Sequence, residues 1–150
     1  MIRGVLFNPS NPGHLPLPAM PLIPATITIP RLSVSRTLHL LVDTGADVTS
    51  LHLRDAVQML GLHGIRQLRG RAACQGVGGS AEYFTEPALI VFLHDDGRPQ
   101  GFQVDLRIAK LASAPEEVAL QLRLPSILGR DVISQFRMLL DYATNQLVFE

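Results

Sequence analysis

The chain has 150 residues, 47% of them hydrophobic, and its 13 basic residues balance its 13 acidic ones. This length supports one domain with a proper core, and the neutral charge lacks the basic excess of a nucleic-acid-binding surface. The longest strongly apolar run, residues 88–93, is too short to span a membrane. The single cysteine, Cys74, excludes an intrachain disulfide framework. No Cys/His spacing indicates a metal or another cofactor.

The N-terminal segment is rich in proline, with six prolines in residues 1–24. Proline removes backbone donors and disfavours both helix and central strand. The pattern predicts an extended arm over residues 1–21 and a folded domain over residues 22–150. The arm is interpreted either as a flexible terminus or as a segment that packs on a partner subunit or is trimmed. It lacks the continuous apolar core of a signal peptide, so we expect a cytoplasmic protein.

Two strands are predicted next, and the second ends at an acidic residue. Residues 25–29 alternate and are β-branched, and Pro30 marks a bend. Residues 37–42 form the strand that leads to Asp43. Residues 47–51 are predicted to be the strand that leaves this loop.

The rest of the chain predicts an all-β, barrel-like fold with one to three short helices. A helical stripe over residues 52–60 ends at Gly61. The segment 111–122 is either a helix that begins at Pro115 or a loop. Further strands are predicted at 65–75 and 80–93, which form a hairpin, and at 102–108, 125–129, 137–142 and 146–149; a short helix over 131–136 is capped by Asp131.

The position of Asp43 indicates chemistry. An apolar run leads straight into it, and a carboxylate at the end of a buried strand is costly unless it is hydrogen-bonded or used. Gly45 permits a sharp turn with its backbone close to Asp43, because it has no Cβ. Thr44 offers a hydroxyl that can lock the loop or bond to a neighbouring chain.

Three stretches, in this order, resemble the retropepsins, the single-lobed aspartic proteases of retroviral type. Residues 43–46 resemble the active-site loop, the glycine cluster 76–79 resembles the tip of a flap, and residues 126–131 resemble the apolar-apolar-Gly-Arg-Asp segment before the family's helix. The resemblance implies a retropepsin-like acid-protease barrel and an aspartic endopeptidase. It implies that Asp43 is catalytic and that the loop is supported by Thr44, Gly45, Ala46, Asp47 and Arg130.

The same resemblance implies a homodimer, because the chemistry needs two carboxylates and the chain has one Asp-Thr-Gly sequence. Asp47 and Arg130 would form a partly buried ion pair behind the loop, and Thr44 would contact the other subunit's loop. A flap made of Gly76, Val77, Gly78 and Gly79 would close over a polypeptide substrate. In the retroviral enzymes both ends of the chain interleave into a small sheet between subunits. Both termini depart from that pattern here, because the N-terminus is a proline-rich arm and the C-terminal strands look like a self-contained hairpin.

Two other functions remain open. A retropepsin-like domain can serve as a binding or dimerisation module without proteolysis. A divalent-metal site could be built on Asp95 and Asp96, although two acids and a glycine between strands are more typical of a hairpin turn.

Overall fold

The computed structural model describes residues 1–9, 18–69, 71–76 and 79–150, and the side chains of 71–76 and 79–81 lie outside the description. Strand is the most common secondary structure in the described chain, well ahead of helix, which confirms the predicted all-β class. The strands are β1 (Ile2–Arg3), β2 (Val5–Phe7), β3 (Met20–Ile29), β4 (Val34–Val42), β5 (Ser50–Leu51), β6 (Arg71–Gly76), β7 (Gly79–Leu93), β8 (Pro99–Ala109), β9 (Ile127–Leu128), β10 (Met138–Asp141) and β11 (Gln146–Phe149); the helices are α1 (Leu53–Arg66), α2 (Pro115–Gln121) and α3 (Arg130–Ile133).

The larger sheet has the strand order β2-β3-β4-β9-β5-β8-β7-β6, and a further pairing of β3 with β7 curls it towards a barrel. Alternate residues of β3 are buried, as the sequence pattern predicts. They pack against the buried side chains of β4, β7 and β8 and form one core. Core side chains with no exposed surface include Ile23, Ile27, Leu40, Ile90 and Leu106.

The N-terminal segment takes part in both sheets. Strand β1 pairs with β11, and β2 pairs with β3. Ile2 is 1% exposed and Leu6 is 8% exposed. The interpretation of residues 1–21 as a flexible terminus is therefore wrong for residues 2–7, because two buried side chains and two strand pairings hold them. The boundary between arm and folded domain at residue 22 stays a prediction.

The smaller sheet has the order β1-β11-β10, so the two ends of one chain pair with each other. The predicted C-terminal hairpin is present, and Asn145 has the positive φ of 56° that its turn requires. An N-terminal strand covers one edge of this hairpin. Strand β10 lies at the other edge of the sheet and carries Leu139, which is 50% exposed.

Helix α1 is longer than the sequence predicts. Gly61 does interrupt it, with φ 66° and ψ 168°, which only glycine adopts readily. A second helical segment then continues to Arg66, because Ile65 and Leu68 are buried against the core. The first strand of the hairpin therefore begins at Arg71 rather than at residue 65.

Three further predictions can be compared with the structure. Residues 115–121 are the helix α2 rather than a loop. Residues 94–97 are a turn, and Gly97 has φ 81° there. The carboxylate of Asp95 accepts hydrogen bonds from Arg3, and that of Asp96 accepts them from Arg98. The described residues contain no group of three or more potential metal ligands.

Candidate active site

The loop that follows β4 holds Asp43 through its backbone. The Asp43 amide donates to the carbonyl of Leu128 at 3.1 Å, which extends the parallel pairing of β4 with β9 by one step. The Ala46 amide donates to the Asp43 carbonyl at 3.2 Å and closes a tight turn. The main chain at Asp43 is thus fixed on both sides.

The side chain of Asp43 is held by the same turn. The Gly45 amide donates to Asp43 Oδ1 at 2.8 Å, an arrangement typical of Asx turns. A Cβ at position 45 would lie 3.1 Å from this oxygen, so glycine allows the close approach. Within the described residues, Asp43 Oδ2 accepts no hydrogen bond, and the side chain is half-buried. One carboxylate oxygen is therefore oriented by the backbone, and the other is available.

Residues 126–131 run alongside the loop and bond to it repeatedly through the backbone. The Leu41 amide donates to the carbonyl of Ser126 at 2.8 Å. The Arg130 amide donates to the Ala46 carbonyl at 2.8 Å, and the Asp131 amide to the Asp47 carbonyl at 3.1 Å. These bonds connect two stretches more than 80 residues apart in the sequence, so the second motif fixes the shape of the first.

Thr49 and Asp131 form the buried centre of this contact. Thr49 is fully buried, and its hydroxyl donates to Asp131 Oδ1 at 2.8 Å. Its amide donates to both carboxylate oxygens at 3.0 Å, and its hydroxyl accepts a bond from the Gly129 amide at 3.1 Å. The prediction that Asp131 caps the following helix is wrong, because Gly129 occupies the N-cap and the Asp131 carboxylate bonds to Thr49 instead.

The backbone at Gly129 comes very close to this loop. A Cβ there would lie 2.5 Å from the carbonyl carbon of Val48 and 2.8 Å from the Thr49 nitrogen. Its φ of −94° is ordinary, so space rather than conformation requires glycine. The close approach also explains why residues 47–51 are not one strand: residues 47–49 are held as a loop, and only Ser50–Leu51 pair as β5.

Arg130 donates a hydrogen bond to Asp47, so the predicted ion pair is present. The Arg130 side chain is 58% exposed and that of Asp47 is 72% exposed in the single chain. The expectation of a partly buried pair is therefore wrong for the single chain. In water such a pair contributes little to stability.

A second buried polar cluster joins α1 to β9, and the sequence reasoning missed it. Asp55 is 5% exposed, and its Oδ2 accepts a bond of 2.6 Å from the Ser126 hydroxyl. That hydroxyl accepts a bond from the His52 amide at 3.0 Å. Burial lowers the pKa of His52, with the Pro125 carbonyl opposing this shift, so the imidazole is neutral at pH 7. No local signal marked it, because Asp55 lies opposite the predicted apolar stripe and an acid in the first turn of a helix is common.

The acids near the loop already have partners, with the exception of Asp43. Asp47 accepts from Arg130, Asp131 from Thr49, and Asp55 from Ser126. Within the described chain, Asp43 differs from these three acids because its carboxylate accepts only the backbone bond from Gly45 and contacts no side-chain donor.

The predicted flap lies on the hairpin of β6 and β7, in which Gly76 pairs with Gly79. Val77 and Gly78 lie outside the described residues, as does the side chain of Cys74. Glu86 anchors the base of the hairpin: it is 2% exposed, and Arg31 Nε donates to it at 3.0 Å. The Arg69 amide also donates to it, at 3.3 Å. The hydrogen bond from Arg31 lowers the pKa of Glu86.

The chain can be compared with protein families, curated proteins and solved structures. No family model matches the chain, and no curated protein matches it. Among solved structures, the chain is similar to the retroviral protease-like domain of Ddi1 from Leishmania major, with a TM-score of 0.41 and 19% identity over 86% of this chain and 94% of that one. A similarity of this extent assigns no activity.

Among the described residues, no helix is long and apolar enough to cross a membrane.

Proposed function

We propose that this chain is an aspartic endopeptidase that hydrolyses polypeptides as a homodimer, with one Asp43 from each subunit. The observation that carries the proposal is the state of Asp43. Its Oδ1 is oriented by the Gly45 amide at 2.8 Å, and its Oδ2 has no hydrogen-bond partner in the described part of the chain. The carboxylate of Asp131, which joins the two motifs, differs in that both of its oxygens bond to Thr49.

The reaction needs two carboxylates that share one proton. The ionised Asp43 takes a proton from a water molecule, whose oxygen attacks the peptide carbonyl carbon. The protonated Asp43 of the other subunit donates its proton to the carbonyl oxygen, which gives a tetrahedral diol. The C–N bond then breaks as the nitrogen takes a proton from a carboxyl group, and the products are a carboxylic acid and an amine. No cofactor takes part.

The shared proton predicts the pH dependence of the activity. Two carboxylates in contact cannot both ionise easily, so the pair titrates in two separate steps. Activity requires the singly protonated pair, and the rate therefore rises and falls with pH as a bell-shaped curve.

The dimer is supported by the exposure of the loop. Thr44 and Gly45 are exposed in the single chain, at the tip of the turn that holds Asp43. A two-fold axis beside this tip would bring the two Asp43 side chains together and let each Thr44 contact the opposite loop. The hairpin that carries Gly76 and Gly79 would then act as the flap over each side of the cleft. The cytoplasmic location also remains part of the proposal.

The test is cleavage of a library of extended peptides as a function of pH. Asp43→Asn should lower kcat/KM by at least about 10²–10⁴-fold, since a general base is lost. Asp105→Asn makes the same chemical change at an exposed strand position and should leave the rate unchanged. Full activity of Asp43→Asn would refute the proposal. A folded wild type that cleaves no peptide at any pH would support the alternative, a binding or dimerisation module.

A further inference from the structure

One outer face of the larger sheet carries an apolar groove of about 430 Å³. Its floor consists of Val5 and Phe7 on β2 and of Met20 and Leu22 on β3. Val5 and Phe7 are each 50% exposed. Large apolar side chains that meet on an open surface mark a contact site more often than isolated ones do.

The rim of this groove is basic. It is formed by His39, Arg54 and Arg123, and none of the described residues that line the groove is acidic. Neither Arg123 nor His39 forms an ion pair within the described residues. Arg54 contacts Asp55, whose carboxylate is buried and also accepts a bond from Ser126. At least one full positive charge therefore faces the groove without a partner.

The groove lies on the same face of the sheet as the Asp43 side chain. Leu40 and Val42 of β4 are buried in the core, so the alternation places His39, Leu41 and then Asp43 on the outer face. Leu41 is opposite Leu22, and Leu22 is opposite Val5. With about 3.3 Å per residue along a strand and about 4.8 Å between strands, Val5 lies roughly 12 Å from Asp43.

We propose that this groove recognises an acidic residue of the polypeptide substrate three or four residues from the scissile bond, together with an apolar side chain two residues further along, which an extended peptide presents on the same side. An extended peptide advances about 3.3 Å per residue, so it reaches the groove from Asp43 over that number of residues. The apolar floor takes the uncharged side chain, and Arg123 and Arg54 take the carboxylate. This proposal rests on the proposed proteolysis and names the substrate class.

The test uses matched ten-residue peptides with one apolar scissile pair. A single Glu, Gln or Lys is placed in turn at each position from two to five residues on either side of that pair. The wild type should cleave the Glu peptides about threefold to tenfold faster in kcat/KM than the Gln peptides, only at positions three or four. This preference should weaken as salt is raised from about 50 mM to about 500 mM.

Arg123→Glu should lower the ratio of kcat/KM for Glu over Lys peptides by about tenfold or more. Arg66→Glu is the matched control, because Arg66 is an exposed arginine outside the groove with no ion pair in the described chain. It should keep the wild-type ratio. Cleavage without any charge preference, or an unchanged ratio in Arg123→Glu, would overturn the groove proposal and leave the protease proposal standing.

A binding measurement separates the two proposals. The same peptides, labelled with a fluorophore, are titrated with the Asp43→Asn protein and followed by anisotropy. Preferential binding of Glu peptides without cleavage by the wild type would support the groove and refute proteolysis. Absence of both binding and cleavage would overturn both proposals. Sedimentation of Arg123→Glu is the remaining check: conversion of a dimer to a monomer would mean that a second copy occupies the groove, and would overturn the proposal.

Discussion

Replacing Gly129 by alanine tests whether the close contact between residues 126–131 and the Asp43 loop is as tight as the structure has it. The added Cβ would lie 2.5 Å from the Val48 carbonyl carbon, about 0.9 Å inside the 3.4 Å at which ordinary contact begins. The obstacle is backbone, so no side-chain rotation relieves it. The two segments must move apart.

The cost follows from what that movement breaks. Inserting a methyl group into a packed site costs about 1–3 kcal/mol. Separation also weakens the bond from Gly129 to Thr49, and those from Thr49 to the charged Asp131, which are worth about 1.5–3 kcal/mol each. We expect the free energy of unfolding to fall by about 3 kcal/mol. With a urea m-value of about 2 kcal/mol/M, the midpoint would drop by about 1.5 M.

Gly101→Ala is the matched control. Its Cβ would meet only side-chain atoms closely, with the Leu89 methyl at 3.3 Å, and that side chain can move. The free energy of unfolding should then change by less than about 0.5 kcal/mol. If urea unfolding gives the same midpoint for Gly129→Ala and Gly101→Ala, the proposed contact between the two motifs is refuted.

Three further predictions concern the polar groups around the loop and the hairpin. Thr49→Val should lower the free energy of unfolding by about 2 kcal/mol, because it removes the hydroxyl bond to Asp131 and leaves the buried Gly129 amide without an acceptor, while the backbone amide at position 49 still donates to Asp131. Thr28→Val is the control: it loses only a surface bond to Ser35 and should cost about 0.5 kcal/mol or less. The pKa of Glu86 is lowered in the folded state, so its contribution to the free energy of unfolding is present above its unfolded pKa and is lost as the pH falls through its folded pKa. The free energy of unfolding should therefore fall less steeply with acid in Glu86→Gln than in the wild type. A double-mutant cycle of Asp47→Asn and Arg130→Gln, measured as the free energy of unfolding of the single chain, should give a coupling energy below about 1 kcal/mol. A larger coupling energy would mean that the ion pair is buried in an assembly.

The sequence predicted the local parts of the fold well. Period-two alternation identified the second half of β3, the apolar run before Asp43 identified most of β4, and glycine located the break at Gly61. The N-terminal prolines were misleading, because proline was taken to disfavour a strand and residues 1–21 were interpreted as an extended arm. Pro24 lies in β3 between the residues that pair with β2 and those that pair with β7. Among the described strands, β3 has only β4 as a neighbour at this position, so the missing amide of Pro24 breaks no pairing on the other side.

The site was predictable at Asp43 and only partly elsewhere. The motif around Asp43 is contiguous, so its turn could be expected from Gly45. The bonds between Thr49 and Asp131 join residues 82 positions apart, and no local pattern encodes such a distance. The same holds for Asp55 and Ser126, which are 71 positions apart. The residues of both pairs come together only when β4 and β9 lie side by side in the sheet.

The central claim is that one active site needs Asp43 from two chains. The most direct measurement is the cleavage rate of a fixed, low concentration of wild type mixed with increasing Asp43→Asn protein, with substrate in excess. Random pairing of subunits predicts that a tenfold excess of Asp43→Asn lowers the rate about tenfold, because most wild-type chains then lie in inactive mixed dimers. A rate that does not change with added Asp43→Asn, while mixed dimers are shown to form, would contradict the account.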